Sequence, residues 1–252
     1  MAAWFGDITL SQTIKRFWKA VEVAAYGPDG HYAVMLDGRP FRLPGGNMLT
    51  TSSTRLADAI AAEWRAIPDG EAFRTADLPM TQMAGTEIER IRPDREQIIG
   101  GLSAYGENDL LCYRAVGSLG REQDALFDPV LALFGNRHDV VPPVTRSLLP
   151  LSIAPELQKA YGAALERMDD AALTCAAICA PATGSLILAV GLVEGWVDAA
   201  SARLMASVEE RHQMAQWGED HALMQEIDRN AADVAIALRY LELSYGTETN
   251  QA

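Results

Sequence analysis

The hydrophobic residues of this chain change their period once, near residue 52, and this change limits the folds open to the chain. Before that point, strand-forming residues in segments 21–26 and 31–36 flank the Gly- and Pro-containing segment 27–30. Strand formers on both sides of a short loop that supplies positive-φ residues are typical of a β-hairpin. The sequence therefore predicts an antiparallel hairpin near its start.

A second tight turn is predicted at Asp37 and Gly38, directly after that hairpin. Asp-Gly is among the residue pairs that best tolerate the backbone of a two-residue hairpin turn, so both residues are candidates for a structural role. The turn leads into an expected third strand over 39–43, and a fourth is expected to begin at Met48. Turns account for the glycines of this block, and no phosphate-binding loop is needed to explain them.

From residue 52 onward, apolar residues recur every three to four positions, which predicts helices. Leu56, Ile60 and Trp64 lie on one face of a helix over 54–67, so we expect Trp64 to be a buried structural residue. Segment 109–114 is apolar and remains ambiguous between strand and helix. Further helices are expected over 80–91, 94–105, 121–136, 155–168, 170–180, 185–195, 198–217 and 219–243.

These patterns predict an α+β fold. A small β-rich N-terminal domain, residues 1–70, ends in a first helix and is followed by a larger, all-helical C-terminal domain, residues 71–252. In helix 198–217, Leu204, Val208 and Ala215 are expected to form one apolar stripe. Gly218 is predicted to break the chain between the last two helices.

Composition and charge narrow the class of partner. The net charge of −13 makes nucleic acid and anionic membranes poor partners and favours a basic surface on another protein. The three cysteines show no disulfide framework, which indicates a reducing compartment. Segment 171–193 carries no charge, but Pro181 and Gly184 interrupt it, so we expect two buried helices and no membrane span.

Motifs for catalysis are absent from the sequence. Neither the P-loop nor the Gly-x-Gly-x-x-Gly pattern occurs, so no nucleotide and no cofactor are expected. The four histidines show no zinc-protease spacing, and no catalytic residue or metal ligand is predicted. The alternatives are a metal-dependent enzyme that uses the acidic cluster near Glu219 with His212 and His221, or an interaction module for another client.

The segment that includes Trp217, Glu219 and Asp220 has two open interpretations. Acidic residues at the start of a helix complement its dipole, which would make them helix caps. An aromatic side chain beside negative charge is also typical of a protein-binding hot spot. Glu210, two helical turns earlier, is the fourth candidate for such a binding surface.

Several motifs occur in a fixed order along the chain: Arg16-Phe-Trp-Lys19, Leu36-Asp-Gly-Arg-Pro40, Leu56-Ala-x3-Ala-Ala-Glu63-Trp64, Asp109-Leu-Leu-Cys-Tyr-Arg-Ala115, Glu210-x2-Gln213-x3-Trp217-Gly-Glu-Asp220 and Arg239-Tyr-Leu-Glu-Leu243. This series, over residues 16–243, resembles the alpha-subunit-binding assembly chaperones of the F-type ATP synthase, which occur in mitochondria and alpha-proteobacteria. The resemblance implies a chaperone without catalysis. Its implied partner is the ATP synthase alpha subunit, whose beta-facing surface it would shield.

The first residues of the chain bear on localisation. They lack the apolar core and cleavage site of a secretory signal and the Arg/Ser richness of an organellar presequence. We therefore expect a bacterial cytoplasmic protein, or a mitochondrial matrix protein if the chain is a trimmed eukaryotic form.

Overall fold

A computed structural model describes residues 13–28, 30–147 and 149–245 of the chain. The fold has two compact units: unit 1 comprises the chain up to Pro93 together with the segment from Arg239 onward, and unit 2 comprises Asp94–Leu238. The domain boundary at residue 70 stays a prediction. Asp29 of the predicted hairpin loop lies outside the described residues, as do residues 1–12, on which most of the targeting expectation depends.

The strands of unit 1 are β1 (Ile14–Lys15), β2 (Val21–Tyr26), β3 (His31–Leu36), β4 (Arg39–Pro40), β5 (Thr50–Thr51) and β6 (Ala72–Phe73). The antiparallel pairing of β2 with β3 confirms the predicted hairpin, from Val21 opposite Leu36 to Tyr26 opposite His31. Strand β3 also pairs with β4 and β5, while β1 and β6 form a separate two-stranded sheet.

The turn between β3 and β4 is the one predicted from Asp37 and Gly38. Their φ angles are 50° and 76°, the left-handed region that a two-residue hairpin turn requires. The Asp37 carboxylate accepts hydrogen bonds from the backbone amides of Ala20 (2.8 Å) and Lys19 (2.9 Å), and these bonds lower the pKa of Asp37. The side chain thereby fixes the entry to β2.

Strand β4 is shorter than the predicted strand over 39–43, and β5 begins at Thr50. Pro40 lacks the amide hydrogen that a continuing ladder needs, and Arg42 makes only an isolated bridge to Met48. The predicted third and fourth strands are present as this short, interrupted arm.

Helix α1 (Thr54–Ala66) begins at its N-cap Ser53 and carries the core of unit 1. Leu56, Ile60 and Trp64 are buried, as their spacing predicts. The indole of Trp64 packs against other aromatic rings, and its Nε1 donates a hydrogen bond to Thr81 Oγ1 at 3.0 Å. One helical face therefore organises the aromatic core.

The predicted helix over 80–91 is present as α2 (Pro79–Thr86) followed by a π-helical turn, Glu87–Ile91. Glu87 is buried in unit 1, where it accepts hydrogen bonds from the Tyr240 hydroxyl and from Arg92. A buried carboxylate is tolerated when it is paired in this way.

The helices of unit 2 are α3 (Arg95–Tyr105), α4 (Gly117–His138), α5 (Pro155–Glu166), α6 (Asp170–Thr183), α7 (Leu186–Val193), α8 (Ala199–Ala206), α9 (Val208–Trp217) and α10 (His221–Ser244), of which the last continues into unit 1. The ambiguous segment 109–114 forms a 3-10 turn, Leu110–Cys112. Gly184, at φ 70°, ends α6 and separates it from α7 as predicted, but Pro181 lies inside α6 and does not interrupt it. Among the described residues, no helix combines the length and apolar character needed to cross a bilayer. The α+β fold class is confirmed.

The single helix predicted over 198–217 is wrong, because the chain breaks it at Ser207. Ser207 has φ −116° and ψ 16°, and its hydroxyl donates to the Arg203 carbonyl oxygen at 2.7 Å. A serine that bonds to the preceding turn competes with regular helix geometry. The expected stripe is wrong as well: Val208 is buried, but Leu204 and Ala215 are exposed.

Candidate protein-binding surface

The junction between α9 and α10 exposes three of the four residues that the sequence singles out for binding. Gly218 ends α9 with φ 99° and ψ 166°, and its amide donates to the Met214 carbonyl oxygen at 2.9 Å. A residue with a Cβ rarely adopts this conformation, which explains the glycine. The chain can therefore turn sharply between Trp217 and Glu219.

The two acidic residues at this junction have different surroundings. Asp220 Oδ1 accepts hydrogen bonds from the amides of Ala222 (2.9 Å) and Leu223 (3.2 Å), so Asp220 caps α10. Glu219 is exposed and makes no hydrogen bond or ion pair within the part of the chain that the structure describes. Helix capping thus accounts for Asp220 but leaves Glu219 available for a partner.

Trp217 has the most exposed indole of the described residues, at 78% of its full accessible area. Tryptophan is rare on protein surfaces and common at the centre of protein interfaces, where it buries a large apolar area. Glu210 lies seven residues earlier on α9 and is half-buried. A spacing of seven residues places Glu210 on the same face of α9 as Trp217, about 10 Å away along the axis. We call Glu210, Trp217, Glu219 and Asp220 the acidic–aromatic surface.

His212, whose role the sequence leaves open, bridges α9 and α4. Its Nδ1 lies 3.4 Å from Glu122 Oε2, and its Nε2 lies 3.4 Å from Ser118 Oγ and 2.8 Å from Gln216 Nε2. Sequence reasoning misses Ser118 and Glu122 because no local motif connects them to His212. The only sequence signal available is that Ser118 and Glu122, like His212 and Gln216, are one helical turn apart.

The imidazole of His212 lies between a serine, Ser118, and a carboxylate, Glu122, as in the triad of a serine hydrolase. The distances, however, fit a structural contact and not a catalytic one. A general base works within about 2.6–3.2 Å of the proton that it takes. Gln216 Nε2 lies closer to His212 Nε2 than the serine does, so the amide hydrogen occupies the nitrogen that a base would use. The arrangement favours a fixed imidazole over an activated serine.

His221, the other histidine of the metal-site alternative, is the exposed first residue of α10. Within the described ranges, His, Cys, Asp and Glu side chains form no group of three or more that could hold a metal ion. The structure therefore does not unite His212, His221 and Glu219 in a metal site.

Titratable groups with perturbed pKa values lie in the core of unit 2. Asp109 is buried, and its carboxylate accepts from the amides of Leu111 (2.9 Å) and Ile187 (3.0 Å); burial raises the pKa of Asp109. Burial likewise raises the pKa of the Cys112 thiol to about 12, so the thiol stays protonated and unreactive. The Asp109 carboxylate ties the 3-10 turn to the start of α7, which is a structural role.

A family model described as ATP12 chaperone protein matches residues 15–135 of the chain. The mitochondrial protein ATP12 of Saccharomyces cerevisiae is 29% identical over 113 residues. That alignment spans 41% of this chain and 34% of the yeast protein, so the chain matches about a third of that relative's length.

Solved structures resemble the chain over most of its length. Atp12 from Paracoccus denitrificans is 28% identical with a TM-score of 0.83, and the match covers 91% of this chain and 98% of that one. An aspartate-to-lysine mutant of the same protein is 29% identical and has the same TM-score, with 91% and 97% covered. The Atu1473 protein of Agrobacterium tumefaciens is 30% identical, with 91% of this chain and 86% of that one covered and a TM-score of 0.83.

Proposed function

Because this chain belongs to the ATP12 chaperone family, the family of ATP synthase assembly chaperones that its ordered motifs resemble, we propose that it binds the unassembled alpha subunit and shields the beta-facing surface of that subunit. The observation that carries the proposal is the structural match to Paracoccus denitrificans Atp12, which covers 91% of this chain and 98% of that one. An unassembled subunit with an exposed apolar interface tends to form open-ended contacts, and a bound chaperone blocks them.

The acidic–aromatic surface is the proposed contact for the client. The Trp217 indole supplies apolar area, and Glu219 has no partner within the described chain, so a cationic side chain of the client can pair with it. The net charge of −13 favours approach by a basic surface. Desolvating a charge pair beside an aromatic anchor is the arrangement found at binding hot spots.

The proposed activity requires no chemical step, nucleotide or metal. The perturbed carboxyl and thiol groups Asp109 and Cys112 are enclosed in the core, where they bond to or pack against the chain itself. We place the protein in the bacterial cytoplasm, or in the mitochondrial matrix if the chain is a trimmed eukaryotic form. Release would follow when a beta subunit competes for the shielded surface.

Co-expression with the separate alpha and beta subunits, followed by affinity capture of the chaperone, tests the choice of client. We expect the alpha subunit to be recovered in stoichiometric amount and the beta subunit to be absent. Equal recovery of both subunits, or recovery of neither, contradicts the proposal.

Glu219→Lys tests the contact surface. Losing the partner of a desolvated interfacial charge costs about 2 kcal/mol or more, so we expect capture of the alpha subunit to weaken by about 30-fold or more. Glu219→Ala should weaken capture less than Glu219→Lys, and both variants should keep the wild-type melting temperature. Glu166→Lys makes the same charge change at an exposed position on α5 and serves as the matched control. Full binding by Glu219→Lys rejects this surface.

A further inference from the structure

Helix α9 carries Glu210 and Trp217 of the acidic–aromatic surface and leads through Gly218 to Glu219 and Asp220, yet little apolar packing holds this helix. Of its ten residues, all of them described, only Val208 at its start is buried. The following residues, up to Trp217, are half-buried or exposed. A helix with so little apolar burial gains little stability from its own sequence. Some other interaction must keep its C-terminal half in place.

Polar contacts to α4 supply that interaction. Ser118 and Glu122, one turn apart on α4, both contact His212 of α9, and Gln216, one turn after His212 on α9, contacts the same imidazole. The imidazole lies between them, with Glu122 Oε2 at 3.4 Å from Nδ1 and Ser118 Oγ at 3.4 Å from Nε2. Gln216 Nε2 lies 2.8 Å from Nε2, so the hydrogen of the imidazole is assigned to Nδ1, facing the carboxylate. We call these four residues the His212 clamp.

We propose that His212 is a positioning residue for partner binding, because the clamp fixes the last turn of α9 and thus the orientation of Trp217 and Glu219. This inference rests on the proposed function of the acidic–aromatic surface. Gln216, which contacts the imidazole, directly precedes Trp217 in the chain. A surface held in its binding orientation loses less conformational entropy when the partner binds, so removing the clamp weakens binding without removing a contact to the partner.

Hydrogen exchange tests the clamp without any partner. In His212→Ala and in Glu122→Ala, we expect the amides over 213–218 to exchange about three- to tenfold faster, the effect of losing one net hydrogen bond. His212→Asn keeps an N–H near the Nδ1 position and should restore part of the protection. Gln213→Ala on the same helix is the control, since the hydrogen bond that the structure gives the Gln213 side chain runs to Glu209 within α9. Unchanged exchange in both His212→Ala and Glu122→Ala overturns the inference.

Capture of the alpha subunit then links the clamp to binding. His212→Ala should weaken capture by about three- to tenfold at an almost unchanged melting temperature, and His212→Asn should recover part of the loss. The loss should be smaller in a Glu219→Lys background, because one of the two residues being positioned is already lost. If Glu219→Lys weakens capture but His212→Ala does not, the positioning role is wrong and the surface stands. If neither changes capture, the surface itself is wrong, and the positioning role falls with it.

Discussion

Replacing Trp64 should destabilise unit 1, because Trp64 is part of its core and not of the proposed binding surface. Trp64 is 3% exposed. Its ring centroid lies 4.5 Å from that of Phe41, 4.8 Å from that of Trp18 and 5.8 Å from that of Phe73. Its Nε1 also donates to Thr81 Oγ1 at 3.0 Å, so the side chain completes both an aromatic cluster and a hydrogen bond.

The size of the effect follows from these contacts. Trp64→Phe keeps most ring packing but leaves a small gap and removes one donor, which should cost about 1–2 kcal/mol. Trp64→Ala should cost about 3–5 kcal/mol, because the cavity adds to the lost transfer free energy. Trp64→Arg also buries an unpaired cation. Since a domain is stable by only about 5–15 kcal/mol, we expect unit 1 of Trp64→Arg to be unfolded.

Thermal and urea unfolding, followed by circular dichroism, should show stability falling from Trp64→Phe through Trp64→Ala to Trp64→Arg. Trp217→Arg is the matched control: the same substitution at an indole that is 78% exposed should leave the melting temperature unchanged and abolish capture of the alpha subunit. Trp64→Phe, in contrast, should capture the alpha subunit normally. A Trp64→Arg protein with the wild-type melting temperature would falsify the reasoning.

Three further predictions concern buried or capping polar groups. Ser53→Ala should cost about 1–3 kcal/mol of unfolding free energy, measured against Ser52→Ala, because Ser53 Oγ caps α1 and donates to the Leu243 carbonyl oxygen at 2.6 Å. Burial raises the pKa of Asp109 above its unfolded value of about 3.8. The folded protein therefore binds this proton more tightly than the unfolded chain does, and the free energy of unfolding falls as the pH rises from about 3.8 toward the folded pKa. The difference in unfolding free energy between wild type and Asp109→Asn should therefore become smaller as the pH rises from about 4 to about 7. Urea unfolding at each pH measures this difference, and a constant value would contradict the prediction. Asp220→Ala removes one N-cap, which should cost about 1 kcal/mol of unfolding free energy and lower the melting temperature. Asp220→Asn keeps a capping oxygen and should keep the melting temperature.

Local signals predicted the parts of the fold that local interactions determine. The turn at Asp37 and Gly38 depends on the left-handed backbone of those two residues, and α1 depends on a cap and one apolar face. Pairings between distant segments left no such signal. Strand β1 pairs with β6 through Ile14 and Phe73, and the chain from Arg239 onward belongs to unit 1. The hydrophobic period predicts neither of these two features, because it indicates which residues are buried but not which segment they pack against.

The break at Ser207 escaped prediction for a related reason. The spacing of Leu204 and Val208 in the sequence fits one apolar helical stripe, but only Val208 is buried. A single serine that bonds back to the previous turn is common in uninterrupted helices as well. The sequence therefore could not distinguish one helix from two.

The acidic–aromatic surface, which is a proposed binding surface, shows the same division between local and distant determinants. Trp217, Glu219 and Asp220 were predicted because they are contiguous, but only the contacts show that Asp220 caps α10 while Glu219 has no partner among the described residues. The His212 clamp joins residues 90 and 94 positions apart, so no spacing rule could reveal it. If the clamp acts as proposed, capture of the alpha subunit can be lost either by changing a contact residue or by loosening α9. Amide exchange separates these two causes. Exchange over 213–218 becomes faster when α9 is loosened, and it stays at the wild-type rate when only a contact residue is changed.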